Sequence, residues 1–70
     1  MKRILITGAG GSPSVNFTRS LRASKEKYFL VGTDADKYYL HRSEVDKKYL
    51  APLASHPKYI DFLNYIINKE

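Results

Sequence analysis

Apolar residues in this chain form short continuous runs and helical stripes, separated by turns that contain glycine or proline. The run Ile4–Ile6 and the nearly continuous run 28–33 are typical of strands that are covered on both faces, as in parallel sheets. A shorter run at 48–51 precedes Pro52, and a terminal proline suits a strand at the edge of a sheet. The pattern therefore predicts three strands.

Two segments show the spacing of amphipathic helices. Ser12 and Pro13 are typical of a helix start, and the pattern predicts a helix from Ser14 to about Lys25. Its apolar side is expected to consist of Val15, Phe17, Thr18 and Leu21. A second helix is predicted to begin at Pro57, with Ile60 at the flank of a stripe that comprises Tyr59, Phe62, Leu63, Ile66 and Ile67.

The order of these elements predicts the fold class. Strand, helix, strand, short helical turn at 38–43, strand and helix indicate an α/β fold. We expect a Rossmann-like parallel sheet of about three strands with flanking helices. In a doubly wound sheet the next strand would pair with the open side of the first strand. Residues 1–70 are therefore expected to form one domain that is truncated or partial.

Composition narrows the possible chemistry. The chain has 70 residues, a net charge of +5 and no cysteine, which excludes disulfides, thiolate metal sites and a cysteine nucleophile. The basic residues are scattered, so they are interpreted as a solvated surface. No apolar run approaches the about 20 residues of a membrane helix, and Ile4–Ile6 is too short for a signal peptide. We expect a cytoplasmic protein without a membrane partner.

The glycine-rich turn after the first strand is the strongest candidate for a binding site. Amides of such a turn, followed by a helix start, attract phosphate or carboxylate oxygens. Gly8 can make the tight turn and Gly10 can let a ligand approach the backbone. Pro13 occupies the position of the third glycine of the dinucleotide pattern, so the match to that pattern is partial.

Asp34 follows the second strand, where an acidic residue can hold a ribose hydroxyl. Together with the glycine turn it favours a small ligand at the strand ends. The alternative is that the glycines only turn the chain and that Asp34 caps the following turn. The sequence leaves both interpretations open.

The remaining polar residues give weaker signals. His41 and His56 lack neighbours at metal-ligand spacing and are expected to be exposed, so no metal site is predicted. No catalytic residue is predicted either, because no serine lies in a nucleophile elbow. Tyr38 and Tyr39 beside basic residues offer a possible stacking patch. Nucleic-acid binding is nevertheless disfavoured, since three further tyrosines are expected to be half-buried: Tyr28, Tyr49 and Tyr59.

Three short motifs together carry a family resemblance that covers nearly the whole chain. The segments 4–13 (ILITGAGGSP), 31–36 (VGTDAD) and 46–52 (DKKYLAP) resemble the N-terminal domain that precedes the ATP-grasp fold. The resemblance is closest to proteins similar to the large subunit of carbamoyl-phosphate synthase. It rests on the combination and spacing of the motifs. Members of that group often have a small residue and a proline after Gly-Gly, as Ser12 and Pro13 are here.

The resemblance implies a role for the parent protein. ATP-grasp ligases use ATP and Mg²⁺ to activate a carboxylate as an acyl phosphate, and their N-terminal domain shapes one side of the substrate cleft. It implies a carboxylate or nucleotide ligand near the family's loop and strand-end positions, which are Gly8, Gly10, Gly11, Ser12 and Asp34. The ATP-clamping domains would be partners. This chain alone is therefore expected to be inactive and to bind no cofactor tightly.

Two other hypotheses remain open. Thr7-Gly8-Ala9-Gly10-Gly11 also resembles the start of extended short-chain NAD(P)-dependent dehydrogenases and epimerases. That pattern fails at Pro13 and Ser14, and no catalytic Tyr–Lys pair lies in a mid-chain helix. The third hypothesis is a non-enzymatic interaction module that associates with another chain or with itself through the open edge of its first strand.

Overall fold

The computed structural model describes residues 2–70 as a single three-stranded sheet with helices on both faces. The elements are β1 (Lys2–Thr7), α1 (Ser12–Ala23), β2 (Tyr28–Asp34), α2 (Lys37–Arg42), β3 (Lys47–Leu50) and α3 (Tyr59–Lys69). Both strand pairs are parallel, and the order is β1-β2-β3. The predicted α/β fold with a parallel sheet is confirmed.

One face of the sheet carries the larger core. Ile6 and Leu30 point to this face and are buried together with Ala9 and Val45. Leu21 of α1 packs against this cluster, and α2 packs against β2 and β3. Because strands in a sheet alternate their side chains between the faces, Ile6 and Leu30 form one apolar layer against which Leu21 of α1 packs.

The opposite face is covered by α3 alone. The register pairs Leu5 with Val31, which places both side chains on this face. Ile66 of α3 is 1% exposed and lies over them. Ile66 is the fully buried side chain of this helix, and Phe62 and Leu63 are half-buried.

Glu70, the C-cap residue of α3, contacts both outer strands through its carboxylate. The carboxylate of Glu70 accepts a hydrogen bond from the Tyr49 hydroxyl of β3. It also lies 2.9 Å from the Lys47 ammonium and 3.7 Å from the Arg3 guanidinium of β1. The hydrogen bonds from Tyr49 and Lys47 lower the pKa of Glu70.

Two apolar side chains lie elsewhere than their helical patterns predict. Phe17 is 52% exposed, although Val15 and Thr18 are buried as expected. Ile67 is 59% exposed, beside the buried Ile66. Each exposed residue is one position away from the centre of its buried stripe, which turns it about 100° around the helix axis.

The first helix also begins earlier than predicted. Ser12 is its first helical residue, and Gly11 occupies the N-cap position without any side-chain cap. Pro13 still lies in the first turn, where its missing N–H costs no helical hydrogen bond. The helix ends at Ala23, because the Ser24 backbone is extended and its N–H bonds back to Leu21.

Several expectations about exposure are confirmed. Tyr28, Tyr49 and Tyr59 are half-buried, and both histidines are exposed.

None of the helices formed by residues 2–70 combines the length and the apolar character needed to cross a bilayer.

Candidate functional site at the carboxyl edge of the sheet

The carboxyl ends of the three parallel strands bring the predicted site residues to one edge of the sheet. The chain leaves β1 through Gly8, whose φ of 59° lies in the left-handed region. Glycine adopts this conformation at little cost, which allows a sharp turn directly after the strand. A Cβ at Gly8 would meet no atom within 4 Å, so this side of the turn is open.

Three amides of the glycine turn donate within the chain. Ala9 donates to the Thr33 carbonyl at 2.9 Å, and Gly11 donates to the Gly8 carbonyl at 3.0 Å. Gly10 donates to Oδ2 of Asp34 at 3.1 Å. These bonds hold the turn against the end of β2, so its amides are not all free to bind an anion.

Two amides at the start of α1 are further potential donors. Within residues 2–70, Ser12 and Ser14 have no acceptor for their backbone N–H, and Pro13 has no N–H to donate. The Ser14 hydroxyl lies 3.5 Å from the Thr7 carbonyl, at the outer limit of a hydrogen bond. The donors available to an anionic group therefore include the Ser12 and Ser14 amides, whereas the Gly10 and Gly11 amides are already engaged.

Asp34 links the two loops that border the site. Its Oδ2 accepts from Gly10, and its Oδ1 accepts from the Asp36 amide at 3.0 Å. Asp36 in turn caps α2 by accepting from the Tyr38 and Tyr39 amides. Each oxygen of Asp34 keeps a further lone pair, so the carboxylate can also accept from a ligand hydroxyl.

Close packing against α2 gives Gly10 a structural role. A Cβ on Gly10 would collide with the backbone carbonyl of Tyr39. The α2 backbone therefore occupies the space through which a ligand would approach this glycine. Sequence analysis missed this contact because Gly10 and Tyr39 come together only in the tertiary fold.

Gly32 has a comparable role inside the sheet. A Cβ at this position would lie 2.7 Å from Val45 Cγ2 and 2.8 Å from Ala9 Cβ. Because Gly32 has no Cβ, Ala9 of the glycine turn and Val45 of the segment before β3 can both pack against β2.

A cavity of about 180 Å³ opens beside Gly8 at this edge. Its lining comes from the loops after all three strands and from the first residue of α3: Gly8, Thr33, Asp34, Ala35, Ala51, Pro52, Ala54 and Tyr59. The contributions of Ala51, Ala54 and Tyr59 were not predicted, because the loop after β3 carries no motif. The volume is below the about 300 Å³ typical of complete ligand sites, so it suits a small ligand or one end of a larger one.

The groups at this edge are suited to binding a small polar ligand. Asp34 and Tyr59 are the titratable side chains that line the cavity. Across residues 2–70, no group of three histidine, aspartate or glutamate side chains is placed to hold a metal ion. The edge offers backbone donors, one carboxylate and hydroxyls, which can orient a small polar ligand.

The two tyrosine rings of α2 contact each other and remain exposed to solvent. The rings of Tyr38 and Tyr39 meet edge to face with centroids 5.6 Å apart, and the Arg42 guanidinium lies 5.7 Å from the Tyr39 ring. Tyr38 is 68% exposed and Tyr39 is 44% exposed, so these contacts leave part of each ring accessible.

In comparisons with known proteins, no family model, curated protein or solved structure matched this chain.

Proposed function

We propose that this chain is the substrate-side module of an ATP-dependent carboxylate ligase of the ATP-grasp type, and that it catalyses nothing alone. The observation that carries this proposal is the arrangement at the carboxyl edge of the sheet. There Gly8 and Asp34 line one small cavity, and the chain continues from Gly8 to the start of α1, where the Ser12 and Ser14 amides have no acceptor within residues 2–70. Ligands of open parallel α/β sheets bind at this edge.

The proposed ligand is a small carboxylate that also carries a hydroxyl or an amine. Its carboxylate would accept from the Ser12 and Ser14 amides, where the partial positive charge of a helix start favours an anion. Its hydrogen-bond donor would face Asp34, whose oxygens retain acceptor capacity. The cavity volume of about 180 Å³ fits such a molecule better than a whole nucleotide.

ATP and Mg²⁺ belong to the parent ligase in this proposal, by resemblance alone. The chain's own residues would bind and orient the carboxylate, while ATP-grasp domains would supply the nucleotide and metal sites. These domains are the proposed partners. The proposed compartment is the cytoplasm, where ATP is available for such a reaction.

The proposal is tested by following backbone amide resonances of the isotope-labelled 70-residue chain. Ligands are added separately: acetate, bicarbonate, aspartate, glutamate, ATP with Mg²⁺, and NAD. We expect a small carboxylate to shift the amides of Gly8, Ser12, Ser14 and Asp34, and we expect no ATP turnover. Measurable hydrolysis of ATP by the purified chain, or the absence of any shift with every carboxylate, would contradict the proposal.

A matched pair of variants separates binding from folding. Ala54→Leu fills the cavity from an exposed loop position and should abolish the carboxylate shifts while the protein remains folded. Ala23→Leu adds the same side chain at the exposed end of α1, away from the cavity, and should leave the shifts unchanged. NAD binding that weakens in Asp34→Ala would instead favour the dehydrogenase hypothesis.

A further inference from the structure

The two edges of the sheet are protected to different degrees. The outer edge at β3 carries Lys47 and Lys48 and is followed by Pro52, features that natural proteins use to block unwanted strand pairing. The outer edge at β1 has an uncharged centre, formed by Ile4–Ile6. β1 carries basic residues only at its first two positions, Lys2 and Arg3, so its centre and its carboxyl end lack the features that keep the other edge unpaired.

The hydrogen-bonding pattern identifies the groups that this edge presents. Leu30 donates to the Asp46 carboxylate and accepts from the Asp46 amide, so its backbone faces the β3 side. Val31 therefore faces β1, and in a parallel pair it bonds to the residues on either side of its register partner Leu5. The N–H and C=O of Leu5 consequently point away from the sheet, as do those of Arg3 and Thr7.

An exposed apolar flank lies next to these groups. Ile67 of α3 is 59% exposed and borders, with Ile4 and Leu5, a cavity of about 120 Å³ between the helix and β1. An additional strand beside β1 would cover both the unpaired backbone and this flank. Main-chain pairing combined with apolar contact is the usual chemistry of strand addition.

We propose that a second copy of this chain occupies the edge, with the two β1 strands antiparallel about a twofold axis at Leu5. The distribution of charge selects this arrangement. Antiparallel pairing places Lys2 and Arg3 of each copy beside the uncharged Thr7–Gly8 end of the other. Parallel pairing of two copies would bring the basic ends together, where like charges repel.

The proposed dimer is a twofold, self-complementary assembly with a continuous six-stranded sheet. Both α3 helices lie on the same face of that sheet, one on each side of the axis. Leu5 and Ile67 from each copy then share one apolar seam. The carboxyl-edge cavity lies at the ends of the strands, so this inference is independent of the proposed ligand.

Sedimentation equilibrium over a wide range of concentrations tests the dimer. We expect reversible dimerisation of the wild-type chain and at least about tenfold weaker association of Ile67→Lys, because a charge enters an apolar seam. Leu53→Lys is the matched control, since Leu53 is 66% exposed in the loop after β3, and it should associate like the wild type. A wild-type chain that remains monomeric throughout, or equal weakening by both variants, would overturn the proposal.

A cross-linking experiment tests the register. The chain has no cysteine, so a single introduced thiol can form a disulfide only between copies. Opposed Leu5 residues would have Cα atoms about 5.5 Å apart, within the range of a disulfide. We expect Leu5→Cys to cross-link in a glutathione buffer much faster than Leu53→Cys.

A second pair of variants covers the case in which Leu5→Cys does not fold. Arg3→Cys mixed with Thr7→Cys should form a mixed disulfide faster than either variant alone, because these residues face each other across the axis. Dimers in which neither Leu5→Cys nor the mixed pair cross-links above the control rate would rule out antiparallel pairing at β1.

Discussion

The carboxylate of Asp34 accepts a hydrogen bond from the backbone amide of Gly10, 24 residues earlier in the chain. Its second oxygen accepts from the amide of Asp36. One side chain thus connects the turn after β1 with the turn after β2. Any ligand at this edge would bind between two loops that are already fixed to each other, so the site needs little rearrangement on binding.

Removal of the Asp34 carboxylate should loosen both loops. Asp34→Ala leaves the Gly10 amide without its acceptor in a partly buried position and should lower the free energy of unfolding by about 1–3 kcal/mol. Asp34→Asn keeps one carbonyl acceptor and should cost less. Urea unfolding followed by circular dichroism measures both values. Equal losses in the free energy of unfolding for the two variants would show that an acceptor for the Gly10 amide contributes little.

A methyl group at Gly10 should be poorly tolerated. It would collide with the Tyr39 carbonyl, so Gly10→Ala must displace either α2 or the glycine turn and should cost about 3 kcal/mol or slightly more. Gly11→Ala is the matched control, because its nearest neighbour, the Gly8 carbonyl oxygen, would be 3.4 Å away. That change should alter stability by less than about 1 kcal/mol. Thermal unfolding of both variants makes the comparison.

The Glu70 contacts predict a loss of stability in acid. The hydrogen bonds from Tyr49 and Lys47 keep the folded-state pKa of Glu70 below its ordinary value of 4.5. Their stabilisation is therefore complete above pH 4.5 and is lost as the pH falls through the lowered folded-state pKa. The midpoint of thermal unfolding should fall more steeply in this acid range for the wild type than for Glu70→Gln.

The comparison with Glu70→Gln is needed because every other carboxylate titrates in both proteins. At neutral pH the variant should unfold at a lower temperature, since Lys47 and Arg3 lose their anionic partner. The two unfolding temperatures should converge as the pH falls. Parallel curves over the whole acid range would contradict this role of Glu70.

Neighbouring isoleucines in α3 should differ sharply in their contributions. Ile66 is 1% exposed, and Ile66→Ala should cost about 2–5 kcal/mol through lost burial and an unfilled space. Ile67 is 59% exposed, and Ile67→Ala should cost less than about 1 kcal/mol. Both are measured by urea unfolding at low protein concentration, where association does not contribute. Similar values would mean that α3 is rotated relative to the described packing.

Local patterns predicted the elements because the burial of a strand or helix determines the spacing of its apolar residues. The runs at Ile4–Ile6 and 28–33 are continuous because helices cover both sheet faces, and the parallel topology follows from the helix between the strands. The short third strand and the helical turn before it were also predicted close to their positions. Turn residues and periodicity are sufficient for such features.

Contacts between distant segments could not be predicted in this way. Helical spacing placed Phe17 and Ile67 within apolar stripes, but the sheet touches only part of each helix surface and leaves both exposed. The glycine pattern predicted that a ligand approaches the backbone at Gly10, whereas the fold brings the Tyr39 backbone against this glycine. The anchoring of Glu70 depends on β1 and β3 together, and no local motif encodes it.

The solitary position of α3 on its face of the sheet has a consequence for local unfolding. This helix is held by Ile66, by the half-buried Phe62 and Leu63 and by the polar contacts of Glu70, whereas α1 packs through Leu21 on a core shared with β1 and β2. Opening of α3 would therefore break few contacts and would leave the other layers intact. Its amide protons should exchange with solvent through a lower-energy opening than those of β2, so the molecule comprises two cooperative units of unequal stability.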